Sequence, residues 1–297
     1  MYHEINVKSA LNKLENNFPY GWDLNIYRGC PHNCQYCYAL YSHDYLGSED
    51  FFGDIFIKKN IIERLEKELR SKKWKHEKIN IGGVTDSYQA IESKYGLMRQ
   101  VLKLMIKYQN PITISTKSTL ILRDLDLIDQ LSQVASVSAA MTVTTVDEKI
   151  RELIEPKASP SYSRFETLKK LKQTNARVGM HVMPILPYIT DSEENLKGLF
   201  FNAQQVGVDY ALCGTLYLRG KTKPHFLNFI KNSFPHLYGK YLSLYTQSGA
   251  GRDYQRDLHK RISKIRKKYR IFGNSSEPKK QKLVKAEQSN LDSFRKA

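Results

Sequence analysis

Three of the chain's four cysteines fall within eight residues, in the run Arg28-Gly29-Cys30-Pro31-His32-Asn33-Cys34-Gln35-Tyr36-Cys37-Tyr38. A C-x3-C-x2-C spacing lets one tight loop turn three thiolates toward one inorganic centre. A [4Fe–4S] cluster is normally held by four cysteine thiolates. Three would leave one iron open to an outside ligand, and an open coordination position separates a reactive metal centre from a structural one. The competing reading is a structural zinc ion with His32 or His43 as the fourth ligand. Zinc motifs more often carry two separated cysteine pairs, and no second pair occurs here. Clustered cysteines of this number do not make a secreted disulfide framework; they point to a reducing, cytoplasmic compartment.

Other residues suited to chemistry fall in short polar runs. These are Gly82-Gly83-Val84-Thr85-Asp86-Ser87-Tyr88-Gln89, Ser115-Thr116-Lys117, Ser138, Met183-Pro184-Ile185-Leu186-Pro187 and Cys213. What must position them is an alternation of β-rich runs with helical patterns. The pattern predicts strands over 23–27, 78–82, 111–116, 134–143, 177–183 and 209–213. Helices are predicted over 60–71, 94–108, 125–132, 161–173 and 192–206, the last with a capping box from Asp191 and Glu194. Successive strands start about 37 residues apart, enough for βαβ units of roughly 30 or more residues. Six such units imply a parallel sheet with right-handed crossovers, an α/β partial (β/α)6 TIM-type barrel. The polar runs then fall at the carboxyl ends of the strands, the rim where barrel enzymes build their sites.

The chain has 297 residues, 41% hydrophobic and 26% charged, enough to bury a large core. No apolar run approaches the ~18 residues of a membrane helix, and the N-terminal residues lack the apolar region of a secretory signal. Lys and Arg number 47 against 30 Asp and Glu, a formal charge of +17. Residues 252–297 hold 15 of the basic and 5 of the acidic residues. Within them 253–272 reads as an amphipathic helix with the apolar stripe Tyr254, Leu258, Ile262, Ile265, Tyr269. Such a surface attracts polyanions. Gly249 and Gly251 ahead of it read as a helix-start loop. The organisation read from these patterns is an N-terminal extension (1–20), the barrel (21–220), a basic helical C-terminal extension (221–273) and a flexible basic tail (274–297).

The cysteine run, with an aromatic residue just before the last cysteine, resembles the signature of the radical S-adenosylmethionine (radical SAM) superfamily. Together with Thr85 through Gln89, Ile154-Glu155-Pro156, Met183 through Pro187 and Thr190-Asp191-Ser192, it resembles the spore photoproduct lyase-like ("DNA repair photolyase") group over roughly residues 20–220. The resemblance implies a [4Fe–4S] cluster on Cys30, Cys34 and Cys37, with S-adenosylmethionine (SAM) on the open iron. One electron, from a donor such as flavodoxin or ferredoxin, would cleave SAM to a 5′-deoxyadenosyl radical that abstracts hydrogen from substrate. It also implies that the Tyr36 backbone borders the adenine and that Thr85 and Asp86 contact the methionine end. Gly82 and Gly83 allow close backbone approach, Lys117 pairs with the SAM carboxylate, and Ser138 hydrogen-bonds nearby.

The match breaks at one position. In spore photoproduct lyases a cysteine in the loop after the second strand returns a hydrogen atom to the product radical; here that position is Gly83. Cys213 is either a buried small residue or a cavity-facing thiol, and Tyr38, Tyr88 and Tyr217 are alternative radical donors. Glu155 reads as a helix-end acid and His181 as a satisfied core histidine. The leading expectation is a radical SAM enzyme acting on nucleic acid. Alternatives are a peptide or small-molecule substrate, or a non-catalytic nucleic-acid-binding protein with structural zinc. Oligomeric state is open.

Overall fold

In the computed structural model, which describes residues 1–14 and 19–273, apolar and polar side chains alternate along the strands and sort two environments. The strands are β1 (Tyr2–Ile5), β2 (Leu11–Lys13), β3 (Trp22–Leu24), β4 (Tyr27–Arg28), β5 (Ile55–Lys58), β6 (Ile79–Ile81), β7 (Ile112–Thr116), β8 (Val137–Thr142), β9 (Arg177–Ile185) and β10 (Tyr210–Thr215). The helices are α1 (Ile61–Leu69), α2 (Glu92–Tyr95), α3 (Leu97–Lys107), α4 (Leu125–Val134), α5 (Glu148–Ile154), α6 (Ser161–Leu171), α7 (Glu193–Val206), α8 (Thr222–Ser233), α9 (Tyr238–Leu244) and α10 (Arg252–Tyr269). Among the described residues no helix is long and apolar enough to cross a membrane. The tail read over 274–297 lies outside the described residues.

Strands β3, β6, β7, β8, β9 and β10 lie side by side in that order, all parallel, with β2 antiparallel to β3 at the edge. This is the α/β partial barrel read from the sequence. Successive strand residues point to opposite faces. Ile79, Ile81, Ile112, Ile114, Val178 and Val182 join the buried core under the helices. The alternate positions, among them Asn80, Ser115, Ser138 and His181, form the opposite, polar face of the sheet.

The first predicted strand is split. After Leu24 the chain leaves the main sheet, and Tyr27–Arg28 pairs antiparallel with β5, which pairs parallel with β1. The predicted helix 94–108 is also broken, at Gly96 (φ 59°). The buried Glu92 carboxylate accepts the Leu97 and Met98 amides at 3.0 Å each, satisfying the open N–H groups of α3. The cap of α7 is Ser192, whose hydroxyl accepts the Asn195 amide at 3.1 Å. Asp191, expected in that role, instead accepts the Tyr254 hydroxyl of α10 at 2.6 Å.

Helix α10 covers β10 from outside: Leu258, Ile262 and Ile265 belong to the same core as the strands. It starts beside Asp191, ahead of α7, and ends where Arg266 Nη2 donates to the Ala211 carbonyl (2.9 Å) near the start of β10. It thus runs from the carboxyl end of the strands to their amino end. A second apolar cluster joins α8 and α9 (Phe226, Ile230, Tyr241) to Cys34, Tyr36 and Leu186.

Candidate cluster and cofactor site

The cysteine loop leaves β4 through Gly29 at φ +80°, where a Cβ would fall well inside contact distance of the Asp54 carbonyl, so only glycine fits. The Cys30 amide donates to the Phe51 carbonyl (3.2 Å), and the Cys37 amide to the Cys34 carbonyl (3.1 Å), closing a tight turn. All four cysteines are free thiols. Burial pushes the three loop thiols up, Cys34 to about 12, with nearby Lys117 pulling Cys34 back. Thiolates in such a place need a cation bound to them, which couples metal loading to thiol ionisation.

The donor set fits a cluster better than a single zinc ion. His32 Nδ1 lies 3.4 Å from Asp86 Oδ2, and His43 Nε2 lies 2.9 Å from the Asp54 carbonyl. Among the described residues no group of three His, Cys, Asp or Glu side chains is gathered to hold one metal ion. Three thiols on one loop, each for a different iron, are the arrangement a cluster with one open iron requires.

Two segments clasp this loop. From one side, the Gln35 amide donates to the Ile154 carbonyl (2.9 Å), the Lys157 amide to the His32 carbonyl (3.2 Å), and the Tyr36 hydroxyl to Glu155 Oε1. From the other come Thr85 and Asp86. Thr85 Oγ1 donates to the Gly29 carbonyl at 2.5 Å. Asp86 accepts from the Tyr88 amide (2.9 Å), Thr116 Oγ1 (2.6 Å) and the Lys117 amide (2.9 Å). Lys117 Nζ sits 5.7 Å from the Tyr36 ring centroid. Burial alone would lower its pKa, but Cys34 and Glu155 outweigh burial and keep it protonated.

A family model of the radical SAM superfamily matches residues 24–199, which span the cysteine loop, both clasping segments and strands through β9. The chain belongs to the radical SAM superfamily. The uncharacterized protein Rv2578c of Mycobacterium tuberculosis (strain ATCC 25618 / H37Rv) is 32% identical over 92% of this chain and 82% of its own length. The uncharacterized protein MJ0683 of Methanocaldococcus jannaschii is 27% identical over 72% and 70%. Among solved structures, a spore photoproduct lyase complexed with dinucleoside spore photoproduct superimposes with a TM-score of 0.67 at 15% identity, covering 90% of this chain and 79% of that one. SuiB of Streptococcus suis bound to S-adenosylmethionine gives 0.53 at 14%, covering 83% and 48%. At such identities the shared feature is the fold. Radical SAM enzymes use a [4Fe–4S] cluster and SAM, and this chain is such an enzyme.

Within this radical SAM barrel, Gly83 has a structural reason to be glycine. A Cβ there would overlap the Asp23 carboxylate, which is held by Asn25 (2.5 Å) and Asn80 (2.8 Å). The hydroxyl of the exposed Tyr38 donates to the Gly83 carbonyl. Ser138 is not brought to the cysteine loop. It is the second residue of β8, about 13 Å from the strand's carboxyl end at ~3.3 Å per residue, and its hydroxyl lies 2.8 Å from that of Tyr210. Cys213 packs against the helix-side core beside Arg266, because it shares strand parity with buried Ala211. Of the tyrosines, Tyr88 is fully buried and Tyr217 exposed.

His181 lies on the polar face of the sheet, its Nδ1 3.0 Å from Ser115 Oγ and its Nε2 3.5 Å from the Tyr210 hydroxyl. Burial first, then the charge on Lys117, lower its pKa to about 4, so it is neutral near pH 7. Sequence reasoning missed the pairing of Glu155 with Arg164 (2.5 Å), both fully buried. Its one visible sign was an arginine beside the apolar positions Phe165, Leu168 and Leu171 on the buried face of α6.

Proposed function

We propose that this radical SAM enzyme holds its cluster on Cys30, Cys34 and Cys37 and abstracts hydrogen from a nucleic-acid substrate. When bound, the cluster and SAM supply a one-electron cleavage that yields a 5′-deoxyadenosyl radical. The chain's own residues bind and orient. Protonated Lys117 meets the SAM carboxylate as a point charge, strengthened where water is scarce. Thr85 and Asp86, with their side chains committed to protein partners, offer backbone around Gly83 to the methionine end, and the backbone at Tyr36 borders the adenine. Ser138, at the amino end of its strand and hydrogen-bonded to Tyr210, does not touch SAM. An electron carrier such as flavodoxin or ferredoxin serves the cluster in a reducing cytoplasm. With Gly83 where the lyases carry a cysteine, hydrogen does not return by a thiol from this loop.

The observation carrying the substrate class is the outer face of α10. Arg252, Arg256, Lys260, Lys264, Lys267 and Lys268 are all exposed there, and the helix starts at the carboxyl rim of the strands. Its two acids are spent on Arg256 (2.7 Å) and Arg261 (2.9 Å) of the same helix. Such a stripe suits phosphate contacts that position a polyanion without reading its sequence. The test measures 5′-deoxyadenosine formed by reconstituted, reduced enzyme with and without DNA or RNA. Stimulation that is lost in the triple variant Arg256→Glu, Lys260→Glu, Lys264→Glu supports the reading. Turnover indifferent to every polynucleotide would pass the substrate to a peptide, as in the solved SuiB complex with its precursor peptide SuiA.

A further inference from the structure

Glu155 ends α5 immediately before Pro156, a place where an acid needs no special account. Its surroundings give it one. The side chain is fully buried. Oε1 accepts from the Tyr36 hydroxyl and from Thr144 Oγ1 (2.7 Å), and Oε2 lies 2.5 Å from Arg164 Nη1. Arg164 is also fully buried, its Nε donating to the Ser159 carbonyl (2.7 Å) and its Nη1 to the Thr142 carbonyl (3.0 Å). The pair is therefore pinned to the end of β8 and to the start of α6, while its free reach is spent on one residue of the cysteine loop. The flanking backbone holds the same loop through Ile154 to Gln35 and Lys157 to His32.

A buried ion pair is a poor device for stability alone. Desolvation consumes most of the Coulombic gain, and apolar replacements of similar volume are often neutral or better. A buried pair beneath the residue between two cluster thiols calls for another purpose. Tyr36 stands between Cys34 and Cys37, with Lys117 over its ring and Glu155 on its hydroxyl. Besides the neighbouring thiol of Cys37, the charges felt at Cys34 are two cations, Lys117 and Arg164, and the Glu155 carboxylate; Asp86 acts on Lys117 and Cys30.

We propose that Glu155, held by Arg164, is a positioning residue of the cluster loop: it fixes Tyr36 through its hydroxyl and trims the positive field that the cluster experiences. This rests on the cluster being carried by Cys30, Cys34 and Cys37. Removing the Glu155 charge leaves Arg164 without its partner and the field at Cys34 more positive, with Asp86 the remaining carboxylate near Lys117. The reduced cluster, more negative by one electron, then gains relative to the oxidised one, and the midpoint potential rises.

The test uses the full-length reconstituted protein, and iron and sulfide per wild-type chain are measured first; that number reads the cluster assignment by itself. In loaded Glu155→Gln, which keeps the shape and an acceptor for Tyr36, a positive shift of the cluster's midpoint potential is expected. A lowered melting temperature with an unshifted potential would overturn the proposal. Because Glu155→Gln leaves Arg164 buried without its anion and can fail to fold, Tyr36→Phe is the second variant; it keeps the ion pair and cuts only the tether. Its iron should pass to a chelator several-fold faster than wild-type iron at a temperature where both proteins are fully folded, the lost hydrogen bond to a buried carboxylate lowering the melting temperature only modestly. Release at the wild-type rate would overturn the tether.

Discussion

Asp23 decides what its neighbour at position 83 can be. Its carboxylate fills the volume into which a side chain at Gly83 would project, and three donors hold it there: Asn25, Asn80 and the Gly83 backbone. Overpacking a filled site costs about 1–3 kcal/mol, so Gly83→Cys should lower thermal stability by that order. Combined with Asp23→Ala, the loss should be smaller than the two single losses added, because contacting residues couple. Strict additivity in the double-mutant cycle would mean that the two positions do not compete for space. Lys117 makes the opposite kind of prediction, about binding rather than folding. A charge-assisted hydrogen bond contributes roughly 1.5–3 kcal/mol, so Lys117→Ala should weaken SAM binding by about 10-fold or more with iron content unchanged. Equilibrium dialysis with labelled SAM reads it, and equal affinity would remove Lys117 from the site. The cysteines and Lys117 were legible in the sequence because their types and spacing carry chemistry by themselves. Glu155 with Arg164, and Asp23 under Gly83, were not, because each acquires meaning only from a partner distant in the chain.

The six barrel strands were readable because alternation and spacing repeat from one βα unit to the next. The small sheet of β1, β4 and β5 has no such repeat, and its strands of 2 to 4 residues carry too little pattern to register. The split of the predicted helix at Gly96 was equally hidden, since it depends on Glu92 turning back to cap α3. Which face a strand residue takes also needs neighbouring strands: the parity of Ala211 sends Cys213 to the helices, whereas His181 meets Ser115 and Tyr210. That placement has a pH signature. His181 titrates at about 4 in the folded chain and near ~6.5 unfolded. Between these values the unfolded state binds the extra proton, so stability falls as pH drops from 6.5 toward 4. Buried His32, also lowered, adds in the same direction. In His181→Asn the slope of unfolding free energy over this window should be shallower by up to about 1.4 kcal/mol per pH unit. Urea unfolding at pH 6.5, 5.5 and 4.5 measures it, and an unchanged slope would mean that His181 takes up its proton as readily in the folded protein as in the unfolded chain.

At the scale of the whole molecule the question is how a chain of +17 distributes its charge. The amphipathic pattern of 253–272 was visible in the sequence, but its stripe gave no hint of what it packs on. The helix forms over Arg252–Tyr269, and Leu258, Ile262 and Ile265 complete the core over β10, so its apolar face is part of the barrel while its basic face looks outward. Deleting the chain from residue 252 would therefore confound charge with stability. Losing buried Leu and Ile side chains costs about 2–5 kcal/mol each, and a truncated protein that fails to bind nucleic acid would prove nothing about charge. Reversing exposed Arg256, Lys260 and Lys264 leaves the core intact and should change stability by no more than about 0.5 kcal/mol per site. If each of the three neutralises one phosphate, the slope of log affinity against log salt on double-stranded DNA should flatten by about 2.7. A loss of affinity that is large at low salt and fades as salt rises is the signature of such contacts. Equal slopes in the variant and the wild type, with both proteins folded, would place the polyanion elsewhere on the molecule and leave α10 as the outer wall of the barrel alone.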